Sequence, residues 1–143
     1  MAARLHLGRL PEALRTQLES EGRILYLAEN IGETAICKDY RAPGARSGRR
    51  WIWFIGYFVL TERRVVAKAR WYHRVDVNVA YDEPLSPALA FHVKRKYLCL
   101  AWDASAQDPR TSGQLEVRRY LPDVTTAARL LEQAGARIEW NGR

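Results

Sequence analysis

Residues Trp51 to Leu60 read WIWFIGYFVL, the most hydrophobic run in the chain. The run is only half as long as the roughly 20 residues a membrane-spanning helix needs. Arg49 and Arg50 close it on one side, and Glu62, Arg63 and Arg64 on the other. It therefore reads as a long, largely buried strand. Thr61-Glu62-Arg63 is short enough for a tight hairpin connection. The strand beyond it separates its faces cleanly: Val65, Ala67, Ala69 and Trp71 point one way, and Arg64, Val66, Lys68 and Arg70 the other.

The same period continues in both directions. Upstream, Arg41–Arg50 (RAPGARSGRR) is rich in Gly, Pro, Ser and Arg and reads as an exposed loop. Before it, Thr34, Ile36, Lys38 and Tyr40 alternate with Glu33, Ala35, Cys37 and Asp39. A turn is expected at Glu29–Gly32 and a short strand at Ile24–Ala28. Leu7, Leu10, Leu14 and Leu18 instead recur at spacings of three and four. With Pro11 suited to a first turn and Gly22 to a stop, they predict a helix near 11–20.

Downstream, Val75, Val77, Val79 and Tyr81 alternate with Asp76, Asn78, Ala80 and Asp82, and Pro84 and Pro87 break the pattern. Strands resume at about Ala90–Trp102 and Gln114–Tyr120, separated by the loop Asp103–Gly113. A last helix is expected at about 123–134, with Val124, Ala127, Ala128 and Leu131 as its apolar stripe. Asp123 would cap its start and Gly135 its end. The whole of 1–143 reads as one domain that is mostly β (α+β), with strands over about 23–120. The expected form is a small, partly open seven-stranded antiparallel barrel or pair of packed sheets, with the last helix capping the open end.

At 143 residues and 48% hydrophobic content, the chain can bury a sizeable core without covalent staples. Cys37 and Cys99 are far apart in apolar surroundings and read as two buried thiols in a reducing compartment. Met1 to Leu10 has no continuous apolar core of signal-peptide length, so a cytoplasmic protein is expected, free or peripheral at the membrane. The net charge of +7 raises the expectation of an anionic partner such as nucleic acid or acidic lipid.

Six basic residues form the candidate anion- or partner-binding site: Arg46, Arg49 and Arg50 on the expected loop, and Arg64, Lys68 and Arg70 on one strand face. If the two groups adjoin, they can contact several phosphates at once. Lys94, Arg95 and Lys96, and Arg118 with Arg119, are further basic runs. Trp51, Trp53, Tyr57, Trp71 and Tyr72 lie beside these charges. Stacking of bases on them is one use, but filling the core is the expected one. An apolar stripe left facing outward would instead mark a protein interface or a dimer.

His6, His73 and His92 are scattered, and with Cys37 and Cys99 isolated no metal site is expected. Gly44 to Gly48 lacks the length and the Lys-Ser/Thr pair of a phosphate loop, and no serine sits in a nucleophile elbow. Asp76 with Asp82, and Asp103 with Asp108, read as solvated carboxylates. No catalytic residue and no cofactor are expected, so the chain reads as a non-enzyme.

Leu60, Thr61 and Arg64, followed by the apolar Val65 and Val66, resemble the hairpin of bacterial pleckstrin-homology-like and GRAM-like domains, in which leucine-threonine, two residues and an arginine precede an apolar strand. The resemblance extends in element order over roughly Arg23 to Ala134. It implies a partly open seven-stranded barrel capped by the last helix. It also implies a non-catalytic module for a protein partner or an anionic membrane surface, often homo-oligomeric. The basic pattern of the family's usual headgroup site is not matched, since Glu29–Gly32 is acidic and the only Lys-x-Arg is Lys68-Ala69-Arg70. Two further readings are a basic nucleic-acid-binding β domain, and a small-ligand carrier or enzyme with a barrel pocket.

Overall fold

The computed structural model describes residues 8–69, 76–82, 90–106 and 109–140, without the side chains of 40, 45–50, 90 and 106. The hydrophobic run belongs to β2 (Ala45–Thr61), which pairs antiparallel along its length with β1 (Ile24–Ala42). The segment expected as a loop at Arg41–Arg50 is thus two strand ends. Only Pro43 and Gly44 turn the chain, between the paired Ala42 and Ala45. Proline followed by a glycine at φ +76° is the combination a tight type II turn uses, and this turn spares the arginines for the ladder.

The turn expected at Glu29–Gly32 is likewise absent. Asn30 takes φ +54° and the register with β2 slips between Ala28 and Ile31, so β1 carries a bulge and continues. A docked backbone holds the bulge in place. Gly8 N donates to Asn30 Oδ1 (3.0 Å), Asn30 N donates to Gly8 O (2.8 Å), and Leu10 N donates to Glu29 Oε2 (2.8 Å).

Beyond β2 the sheet runs through β3 (Arg64–Ala69), β4 (Val77–Ala80), β5 (Ala90–Val93), β6 (Tyr97–Asp103) and β7 (Ser112–Tyr120). The single strand expected at Ala90–Trp102 is the β5–β6 pair, folded back where Lys94 N donates to Tyr97 O (3.0 Å). A 3₁₀ turn at Ala104–Ala106 follows β6. The β2–β3 turn is built by its threonine, whose Oγ1 accepts from the backbone N of Arg63 (3.1 Å) and Arg64 (3.0 Å).

Two helices complete the fold: α1 (Glu12–Glu21), near its expected place, and α2 (Val124–Gln133). The chain does not end on α2. It continues into β8 (Arg137–Trp140), which pairs parallel with β5. Eight strands among the described residues therefore replace the seven expected, in the order β4-β3-β2-β1-β7-β6-β5-β8. They form one sheet curled into an open half-barrel.

Strand alternation sends two sets of side chains to two cores. Phe58, Leu60, Val65, Ala67, Leu98, Leu100, Trp102 and Val117 face the concave side, where they meet Val124, Ala127, Ala128 and Leu131 of α2. Each large apolar side chain buried there contributes about 1.5–3 kcal/mol. The helix thus fills the hollow of the sheet and is more than a lid on one end. Tyr57, Val59 and Val66 face the convex side and are covered by Leu10 and Leu18 of the α1 segment. This is why β2 and β3 are apolar on both faces in this part of the sheet.

The ends of α2 are as the sequence expects. Asp123 accepts from Thr126 N (3.2 Å) and Thr126 Oγ1 (2.6 Å), which holds its carboxyl below the usual aspartate range. Gly135, at φ +98°, donates to Glu132 O (3.0 Å), and Ala136 N donates to Leu131 O (2.9 Å). Asp123→Ala should lower the stability of the fold, read as a lower urea midpoint. An unshifted urea midpoint would show that the cap contributes nothing.

Candidate functional site

Along the ladder the backbone positions of Arg46, Arg49 and Arg50 are set apart from those of Arg64 and Lys68. Leu60 pairs with Val65 and Tyr57 with Lys68, whereas Arg50 lies opposite Cys37, Arg49 opposite Lys38 and Arg46 opposite Arg41. Arg50 is therefore separated from Lys68 by about 23 Å of strand, and from Arg64 by about 36 Å. Arg64 is engaged elsewhere. Its Nε donates to Glu21 Oε1 (2.5 Å) and its Nη1 to Asn78 Oδ1 (2.9 Å), fastening the end of α1 to the sheet. Lys68 is half-buried on the convex face. Arg70 lies outside the described residues, with His6, Trp71, Tyr72, His73, Pro84, Pro87 and Asp108, and the side chains of Arg46, Arg49 and Arg50 do too.

A different surface emerges from β2. The convex-side residues of its upper half are Trp51 (49% exposed), Trp53 (69%) and Ile55 (44%). Sequence reasoning placed the tryptophans in the core, yet of the four that are described only Trp102 is buried. Alternate members of the run do turn inward, but both tryptophans fall on the outward parity. The α1 segment covers that parity at Tyr57 and Val59. The observable signal was the even spacing of Trp51, Trp53 and Ile55; what it could not give was how far the covering helix reaches.

These side chains reach across β1 to meet β7 and β6. Trp53 stacks on Tyr120 (centroids 6.2 Å, interplanar angle 15°), and Tyr97 meets Tyr120 edge-on at 5.4 Å. The guanidinium of Arg118 lies 5.2 Å from the Trp51 ring and 5.1 Å from the Tyr97 ring, within cation–π range of both. Beneath this cover Thr34 and Ile36 of β1 are fully buried. At Gly32 a Cβ would stand in ordinary contact with the Tyr120 ring, 3.9 Å away. Glu116 sits 3.5 Å from Arg118 Nε and accepts from Cys99 Sγ (3.0 Å). Burial first, then this carboxylate, pushes the Cys99 thiol up to about 12, so it stays protonated. Past Trp51 the face continues to exposed Lys38, with Arg49 opposite it in register.

A second polar cluster lies inside the sheet. Glu33 of β1 and Arg119 of β7 are register partners, both buried, with Arg119 Nε 2.8 Å from Glu33 Oε1. Glu33 Oε2 finds no hydrogen-bond donor among the described residues. Burial pushes the Glu33 carboxyl up to about 7; Arg119 pulls the other way but less strongly, and Asp76 adds to the rise. Such a carboxyl is a familiar property of catalytic acids, but this one has no exposed surface.

Both cysteines are buried and unbridged, on opposite sides of the sheet: Cys37 faces the concave core and Cys99 lies under Arg118. No group of three His, Cys, Asp or Glu among the described residues could hold a metal ion. No described helix is long and apolar enough to cross a membrane. Compared with protein-family models, curated proteins and solved structures, the chain matches none.

Proposed function

We propose that the chain is a non-catalytic binding module, pleckstrin-homology-like in plan, whose partner docks on the convex face of the sheet. One observation carries this reading. Trp51, Trp53 and Ile55 stand exposed on alternate positions of one strand, with Arg118 against the Trp51 ring and Tyr120 stacked on Trp53. Tryptophan, tyrosine and arginine are enriched among the residues that contribute most at interfaces, and the large aromatic rings lose little conformational freedom on docking. The concave side is a poorer candidate, since α2 packs its apolar stripe into it. The family plan rests on the resemblance of the Leu60–Val66 hairpin in the sequence; α1 and β8 lie outside that plan.

Trp53→Ser tests the face directly. Because the side chain is 69% exposed, the substitution should cost less than about 1 kcal/mol of stability. Binding of the native chain to acidic vesicles, to oligonucleotides and to its own copies is measured beside that of the variant and of Arg137→Ser, an exposed control on β8. Weakening by Trp53→Ser alone is the expected result. A binding activity that both variants retain in full would remove the face from the proposal.

A further inference from the structure

Resting on that reading of the face, we infer that its partner is a single-stranded nucleic acid, with bases stacked on Trp53 and Trp51 and phosphate held by Lys38. Three observations lead there. The first is ring geometry. Trp51 and Trp53 are two residues apart on one strand, about 7 Å, a spacing that an extended single strand can match base for base. Their exposed rings are braced from beneath by Arg118 and Tyr120, so little order has to be imposed when a base arrives.

The second is charge. The chain carries +7, and the strand that bears the tryptophans runs directly into Arg50, Arg49 and Arg46. Along the same face Lys38 is exposed, with Asp39 following it in the chain, and Glu116 is half-buried beside Arg118 and Cys99. A polyanion is complementary to that row, whereas a second copy of this chain would bring a like-charged surface against it. The third is shape. A base must offer an open π-face to stack, and a duplex hides these faces inside its own stack, so the platform selects unpaired strands.

The test is fluorescence anisotropy with a labelled oligothymidylate of about a dozen nucleotides. The native chain should bind it, and bind the corresponding duplex more weakly. Affinity should fall roughly tenfold between about 50 and about 200 mM salt, as expected for a few neutralised phosphates. Trp53→Ala should weaken binding by about tenfold or more. Lys38→Ser should weaken it and flatten the salt slope, while Arg137→Ser, which removes the same charge elsewhere, should not. Circular dichroism checks that each variant is folded.

Equal loss with Lys38→Ser and Arg137→Ser, or duplex binding as tight as single-strand binding, would reduce the effect to bulk charge and overturn the inference. No oligonucleotide binding, together with capture by phosphatidylserine vesicles that Trp53→Ala abolishes, would overturn it while leaving the face as the binding surface. The same holds for self-association in sedimentation that Trp53→Ala abolishes. Indifference of all three assays to Trp53→Ala would overturn both.

Discussion

Gly56→Ala should destabilise the fold severely. An ideal Cβ at Gly56 would stand 1.8 Å from Glu33 Oε2 and 2.0 Å from the carbonyl oxygen of Lys68. The first is a side chain that could move only into packed surroundings. The second is backbone in the β2–β3 ladder, and displacing it breaks the pairing of Gly56 with Ala69. Ordinary overpacking costs about 1–3 kcal/mol. Here both neighbours resist, so the loss should exceed that range and consume much of a stability of about 5–15 kcal/mol. Soluble yield and the urea midpoint report it. Combining the change with Glu33→Ala removes only one of the two obstructions, so rescue should be partial. Full rescue would mean that the Lys68 carbonyl yields freely, and an unshifted midpoint in the single variant would show that this close approach does not exist in solution.

The second large effect is a dependence on pH. Glu33 has its carboxyl at about 7 in the folded chain against an ordinary 4.5. Protons therefore bind the folded state more tightly, and the associated stability is fully present below about 4.5. It declines as pH rises through about 7 and is flat above that. The gap corresponds to about 3 kcal/mol at 1.36 kcal/mol per unit. Asp103 and Asp123, whose hydrogen bonds to Ser105 and Thr126 hold them low, act in the opposite sense and outside this window. Glu33→Gln cannot titrate, so its urea midpoint should lose the decline between about pH 4.5 and pH 7 that the native chain shows. Arg119→Met should cost about 3–5 kcal/mol above pH 7, where it strands a buried carboxylate, and less at pH 5, where Glu33 takes up a proton. Parallel pH profiles for the native chain and Glu33→Gln would contradict the assignment.

Strand periodicity made much of this fold legible. Val65, Ala67 and Ala69 opposite Arg64, Val66 and Lys68 divide as alternation requires, and the cap and stop of α2 were visible in Asp123 and Gly135. The failures share a cause. Composition marked Arg41–Arg50 as a loop and Glu29–Gly32 as a turn, but Pro43-Gly44 and Asn30 absorb all the irregular backbone, and pairing with β2 carries the rest. Strand β8 was missed because Arg-Ile-Glu-Trp is too short to show a period, and its pairing with β5 is decided by where α2 sets it down.

At the site, the sequence marked aromatic and basic residues on the same hairpin. It could not say which part of the convex face the α1 segment covers, so that Tyr57 and Val59 are buried while Trp51 and Trp53 are exposed. Arg118 and Tyr120 were invisible as site residues for a related reason. They lie far along the chain from Trp53 and join it only because β7 pairs with β1.

That pairing also governs how the chain must assemble. Strands β1 to β4 zip from neighbouring hairpins, as do β5 to β7, but the halves meet along β1 and β7, partners separated by most of the sequence. Closing so long a loop is entropically slow and is repaid only once Glu33, Ala35 and Cys37 find Arg119, Val117 and Leu115. While the second half is still being synthesised, one long flank of β1 has no native neighbour and offers its backbone to any passing strand. Asp39, at φ +53°, sits where the β1–β7 register breaks, and Gly113 passes against its carbonyl. This irregularity interrupts the flank, so a foreign strand could not run along it unbroken. The residues that complete the sheet late thus also mark where a growing chain is most exposed to mispairing.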